Sequence, residues 1–230
     1  MELASKLYKD RLGNTLVDCN FFRKRDKLSI SKTLSLEDYI NVLSSSVKLK
    51  NEQPLLSIGK IPNTFFDGAI SGDGRVAGIF VYPAQKRYFK EAGGEGKYIA
   101  FPTLVFAFCT NTDGRLSRSF CFSSKTDELT PDTKLYLYPY GNVSHHGSIC
   151  WGDGACHLHN IRSIAELERC VEVFFSSTTA PHYYQANINT TLNLSHHDLV
   201  NAMEKVDIFP ADNLRFADVT VQELLNKILN

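Results

Sequence analysis

The period of the apolar residues switches near Trp151. Between Pro54 and Tyr138 the period is two. LLSIG, VAGIFVY, YIAFPTLVFAF, SRSFCFSS and KLYLY are short runs rich in β-branched and aromatic residues, the signature of half-buried strands. Turn residues separate them at Ser71-Gly72-Asp73-Gly74, Gly93-Gly94-Glu95-Gly96 and Thr112-Asp113-Gly114, supplying the positive φ that tight hairpins need. Consecutive strands with short turns predict an antiparallel meander. Pro102 inside the third run predicts an edge position or a bulge, because proline brings no N–H to a ladder.

Beyond Trp151 the period becomes about 3.6. Ser163 and Glu166 form a capping box, and Ile164, Leu167, Val171 and Phe174 fall on one stripe, which predicts a helix of three turns. A second helix follows Ser195 and Asp198 through Leu199, Ala202 and Met203 and stops before Pro210, and a third starts at Thr220 and Glu223 and runs to the C-terminus. Residues 1–50 carry short apolar stretches and a basic cluster, Arg23, Lys24 and Arg25, read as a solvated turn. They also hold a helix candidate near Ser35, where Asp38 lies three residues on and Leu36, Ile40 and Leu43 share a face. The expected architecture is α+β, with helices packed on one face of an antiparallel sheet. We place an N-terminal extension at 1–50 and the main domain at 51–230.

Composition narrows the function more than the fold. A chain of 230 residues, 43% hydrophobic, can bury a sizeable core. Twenty-five basic residues balance twenty-five acidic ones, so no overall field draws the protein to nucleic acid or to an anionic membrane. Partners are therefore expected to be recognised by local surfaces. No apolar run approaches the roughly 18 residues of a spanning helix, and the first twenty residues lack the apolar centre of a signal peptide, which implies a cytoplasmic location. The six cysteines include no CxxC pair, so a disulfide framework is not expected in that compartment. Cys109, Cys121 and Cys170 lie within apolar patterns and read as small core residues.

The chemistry concentrates in YPYGNVSHHGSICWGDG, residues 138–154. Asn142 stands eight positions before Cys150, with turn residues between, and four of the seven histidines (His145, His146, His157 and His159) lie in or just after this stretch, as does Cys156. Three readings compete. In the first, Cys150 is a nucleophile for acyl transfer through a thioester. Asn142 then holds the oxyanion or braces the loop, Gly147 lets the loop fold back, and Ile149 anchors the cysteine by packing inward. In the second, Cys150, Cys156 and His157 or His159, with His145 or His146 as a further ligand, bind zinc, although Cys150-x₅-Cys156-His157 fits the usual paired-ligand spacing poorly. In the third, the stretch is a polar turn with exposed histidines and Cys150 buried beneath Trp151.

The spacing resembles that of ubiquitin-conjugating enzymes, which carry His-Pro-Asn and, eight residues after the asparagine, the catalytic cysteine in a Gly-x-Ile-Cys sequence. Asn142, Gly147, Ile149 and Cys150 match at the same spacing. Pro139-x-x-Asn142-Val143, Cys150-Trp151-Gly152, the FPTLVFAF strand and Phe174-Phe175-Ser176-Ser177 are similar to the prokaryotic branch, family D. That branch includes the protein B component of bacterial PRTRC systems and proteins of bacterial ubiquitin-like operons. The resemblance is strongest over residues 98–185 and holds only in outline upstream.

The resemblance implies a UBC-like fold and an E2-like conjugating enzyme, with Cys150 as nucleophile and Asn142 beside it. It implies a ThiF-like activating enzyme, a ubiquitin-like modifier, a target protein amine and, in such operons, an isopeptidase, in some cases in defence against phage. No cofactor is implied, because the activating enzyme spends the ATP. The family's histidine and proline are replaced by Tyr140 and Gly141, and its acidic residue about thirty positions past the cysteine is missing from Thr179-Ala180-Pro181-His182-Tyr183. His182 is the candidate base there, or else a surface histidine following a helix. A non-catalytic module of the same fold that docks a ubiquitin-like protein is the rival reading.

Overall fold

Alternation along two central strands sets up the architecture. In the computed structural model, which describes residues 2–9, 14–23, 28–41, 60–152 and 158–229, Phe80, Phe106 and Cys121 are register partners across three neighbouring strands, and so are Ile79, Ala107 and Phe120. The first row is buried in one apolar cluster and the second faces another. A strand buried on both faces reads as a continuous apolar run, as Thr103–Thr110 does.

The chain divides into two units, Met1–Leu55 and Leu56–Asn230. In the first, β1 (Glu2–Lys9), β2 (Thr15–Arg23) and β3 (Leu28–Ser35) form an antiparallel sheet in that order. A helical segment, α1, occupies 36–41. Ser35 Oγ accepts from the Asp38 N–H at 3.0 Å, as the sequence predicts for this helix start. The three strands are a finding, since the short apolar stretches of residues 1–50 predict only an extension with one helix candidate. Lys24 and Arg25 of the basic cluster, and the LLSIG run, lie outside the described residues.

The second unit holds β4 (Phe65–Ile70), β5 (Val76–Tyr82), β6 (Gln85–Lys90), β7 (Gly96–Phe101), β8 (Thr103–Thr110), β9 (Leu116–Ser124), β10 (Lys134–Tyr136) and β11 (Phe216–Thr220). Six of them form an antiparallel sheet in the order β11-β10-β9-β8-β5-β4, while β6 and β7 pair as a separate hairpin. The three turn clusters close the β4–β5, β6–β7 and β8–β9 hairpins, as expected. Pro102 is neither an edge residue nor a bulge. It splits the run between two sheets, so that Phe101 pairs with Gln85 while Thr103 pairs with Ser124, at the point where a missing N–H would interrupt any ladder.

Among the described residues of this unit the α-helices are α2 (Ile164–Ser176), α3 (His196–Glu204) and α4 (Val221–Leu229). Ser163 caps α2 by accepting from the Glu166 N–H at 3.2 Å, and Ile164, Leu167, Cys170, Val171 and Phe174 are buried. This helix packs on β5, on the face that carries Phe80 and Phe106, while α3 packs against β7 and joins the same apolar cluster. The expectation of helices on one face is corrected by α4. Its Val221, Leu224 and Ile228 pack with Ile79, Val105 and Ala107 on the opposite face, because β5 and β8 present apolar side chains on both sides. No helix among the described residues is long and apolar enough to cross a membrane.

Leu224 is fully buried, so Leu224→Ala is expected to destabilise the protein by about 2–5 kcal/mol. Urea unfolding measures this, and a loss under about 1 kcal/mol would contradict a second packed face.

Candidate functional site

The 138–150 stretch is seated by three neighbours. Tyr138 and Tyr140 enter the main cluster between the rings of Phe101, Phe89 and Phe174. The Tyr140 hydroxyl donates to Ala100 O at 2.5 Å, giving a fully buried phenol the partner it requires. The Tyr138 carbonyl accepts from Asn189 Nδ2 at 3.0 Å. At the other end the stretch pairs with β9. The Cys121 N–H donates to Gly147 O at 2.8 Å and the Ile149 N–H to Ser119 O at 3.1 Å. Tyr136 of β10 pairs with Ser123 of the same strand, so one edge of β9 is shared between β10 and the loop.

Within this frame the loop closes on itself. The Gly147 N–H donates to Ser144 O at 2.8 Å, and the Cys150 N–H donates to Asn142 O at 2.8 Å. Gly147 has φ +81°, and a Cβ there would stand 2.2 Å from the Phe122 ring, so neither the backbone nor the packing admits a side chain. Ile149 is buried, as expected of an anchor.

Asn142 adopts φ 67°, a left-handed conformation that asparagine tolerates better than most residues. Its Nδ2 donates to Thr178 O at 2.9 Å and its Oδ1 accepts from the Ala180 N–H at 3.0 Å. The amide therefore braces the segment following α2, with one further N–H on Nδ2. Gly141, which stands where the conjugating enzymes have proline, lies so near this segment that a Cβ would sit 1.9 Å from Ala180 O. Its N–H donates to His196 Nε2 at 3.3 Å.

Cys150 is half-buried, whereas Cys19, Cys109, Cys121 and Cys170 are buried. Burial pushes the Cys121 thiol well up and raises that of Cys170 to about 12, so neither supplies a thiolate at neutral pH. Asn142, Cys150 and His182 line one cavity of about 400 Å³, together with Trp151, Gly152, Ser177, Thr178 and Ala180. The sequence candidates are thus brought together. Trp151 is anchored by Nε1 donating to Ser119 Oγ at 2.9 Å and packs against Phe108 and Phe174. His182 is exposed and its ring lies 4.5 Å from that of Tyr183. Cys156 and His157, which a zinc site would need, lie outside the described residues. Among the described residues no three His, Cys, Asp or Glu side chains are grouped to hold a metal ion.

Two supporting residues escape the sequence reading. His196 opens α3 behind its cap Ser195, and its Nδ1 lies 2.8 Å from Glu91 Oε1 while Glu91 Oε2 lies 3.1 Å from His197 Nδ1. The usable signal was His196 sharing one helical face with Leu199, Val200 and Met203, all buried. Glu91, just past β6, carries no comparable signal.

The model of prokaryotic E2 family D matches residues 56–216, well over half of the chain, and the chain belongs to that family. Neither a curated protein nor a solved structure matches it. The match takes in the whole loop from Tyr138 to Trp151 together with α2 and α3.

Gly141→Ala forces a methyl into Ala180 O and is expected to cost about 1–3 kcal/mol and to speed alkylation at Cys150 as the loop loosens. Thermal unfolding and mass-spectrometric labelling read both effects. An unchanged melting temperature with unchanged labelling would contradict the tight approach.

Proposed function

We propose that this protein is a conjugating enzyme for a ubiquitin-like protein, with Cys150 as the acceptor. The observation that carries the reading is the shared cavity. A cysteine less buried than the other described cysteines lies beside Asn142 and His182, in a chain of an E2 family. Cys150 thiolate attacks the thioester carbonyl that joins the modifier's C-terminus to the cysteine of a ThiF-like activating enzyme. A new C–S bond forms, the oxyanion collapses, and the activating enzyme's thiolate leaves. The remaining N–H of Asn142 is the donor for that oxyanion. An amine of the target then attacks the Cys150 thioester. His182 takes the proton of the attacking amine, the amide bond forms, and Cys150 thiolate departs.

The modifier, the activating enzyme and an accompanying isopeptidase follow from this reading, as do a cytoplasmic setting and a place beside PRTRC-type and antiphage operon proteins. The protein needs no cofactor for this chemistry, because thioester exchange is close to balanced and the activating enzyme has already spent the ATP.

Incubation with activating enzyme, ATP and modifier is expected to yield an adduct on a non-reducing gel that a thiol reductant removes. Cys150→Ala should abolish it, Asn142→Ala should slow its formation by about 10²-fold, and His182→Ala should slow discharge to an amine more than loading. An adduct that survives in Cys150→Ala, or none with the unaltered chain, contradicts the proposal. The second result favours a docking module.

A further inference from the structure

The hydrogen bonds around Asn142 form a closed ring. Asn142 holds Thr178 and Ala180. Thr179, between them, donates its N–H to Lys90 O at 2.8 Å and accepts from the Ala92 N–H at 2.9 Å. Glu91, between those two, reaches His196 Nδ1. His196 Nε2 returns to the N–H of Gly141, next to Asn142. Every group in the ring but one is an amide, carbonyl or carboxylate whose role as donor or acceptor is fixed near neutral pH. The exception is the imidazole.

A backbone N–H can only donate, so Nε2 of His196 must present a lone pair, and the ring proton must sit on Nδ1, donated to the Glu91 carboxylate. This tautomer is the only one compatible with both contacts. The imidazole is buried, with Tyr184 and Phe89 packed against it at ring separations of 5.2 and 6.1 Å. Water therefore has little room to replace a lost partner.

We propose that His196 is a positioning residue for the Cys150 site that works only as its neutral imidazole. A proton on Nε2 turns the acceptor of Gly141 into a second donor, releases Gly141, and loosens the turn that joins Asn142 to Cys150. Acid therefore lowers the competence of the site through its support, apart from any effect on the thiolate. The inference rests on Cys150 being the acyl acceptor.

The charged and titratable groups facing His196 set where this happens. Burial holds the His196 pKa below its ordinary 6.5, against the hydrogen bond and charge of Glu91, and His197 adds a like charge. Burial alone would raise Glu91, but its hydrogen bonds from His197 and His196 more than reverse that and leave it below the ordinary 4.5. Tyr184 and Tyr140 are raised by burial and stay neutral phenols throughout. With the folded pKa of His196 below the unfolded one, the unfolded chain binds more protons in between. The contribution is thus intact above pH 6.5 and is lost only as pH falls through the lower pKa of the folded state.

The test follows amide hydrogen exchange at Gly141, corrected for intrinsic rate, from about pH 7.5 down to about pH 4.5, so that a histidine titrating below its ordinary value is followed through its transition. Protection in the unaltered chain should fall about tenfold, the size expected for losing one buried hydrogen bond. His196→Gln, whose amide can still accept from Gly141 and donate to Glu91 without titrating, should keep its protection over the same range. His196→Leu should lack it at every pH. Single-turnover transfer from preloaded activating enzyme, run in parallel, should lose about tenfold more rate in acid for the unaltered chain than for His196→Gln. Flat protection in the unaltered chain, or the same pH curve in His196→Gln, overturns the proposal, as does transfer that ignores Gly141 protection. Absence of any adduct in all variants, with Gly141 titrating as described, would sink the conjugation reading and leave the positioning of Gly141 by His196 standing.

Discussion

The side-chain amide of Asn142, which donates to Thr178 O and accepts from the Ala180 N–H, is the contact on which the geometry around Cys150 depends. The backbone carbonyl of the same residue accepts from the Cys150 N–H. One residue thus fixes both the neighbouring wall of the cavity and the position of the cysteine. Each such bond contributes only about 0.5–1.5 kcal/mol net, yet leaving a buried amide unpaired costs about 1–3 kcal/mol. The arrangement is therefore strongly preferred over any partly satisfied one.

The rest of the unit can be read as support for that contact. α2 is held in the core by Phe174 and delivers residues 177–180 from its C-terminus. The β6 end supplies Lys90 and Ala92 to Thr179, and α3 supplies His196 to Gly141. On the cysteine side, β9 holds the 147–149 backbone, and the missing side chain of Gly147 admits the Phe122 ring. Residues at positions 91, 142, 179 and 196 meet only because the meander and the helices bring four distant segments to one end of the sheet. This also accounts for the replaced pair ahead of the asparagine. Tyr140 pins the loop by burial and its bond to Ala100, and Gly141 makes room for Ala180 O.

Much of this was legible in the sequence where one local rule decides. Hairpin turns and the capped helices follow from turn chemistry and helical period, Asn142 and Cys150 stand out by their spacing, and His182 enters only through the family resemblance. The two-sided sheet was harder. The apolar run inside β8 was visible, but the stripe of α4 is the same whichever face it covers. β6, with its sequence QKRYFK, and β1 and β2 of the first unit lack a clean alternation, so tertiary pairing decides them. The Glu91–His196 pair is a long-range contact between a turn and a helix start. Only His196, polar on an apolar helical face, left a trace.

The ring of hydrogen bonds acts as one structural element, and native-state hydrogen exchange tests that most directly. The amides of Gly141, Cys150, Thr179, Ala180 and Ala92 each donate into it. If the ring is a single element, the five open together, with a common free energy and a common dependence on denaturant. Separate opening of Cys150 from Thr179 and Ala92 would contradict the account, since Asn142 would then be holding two walls that move independently.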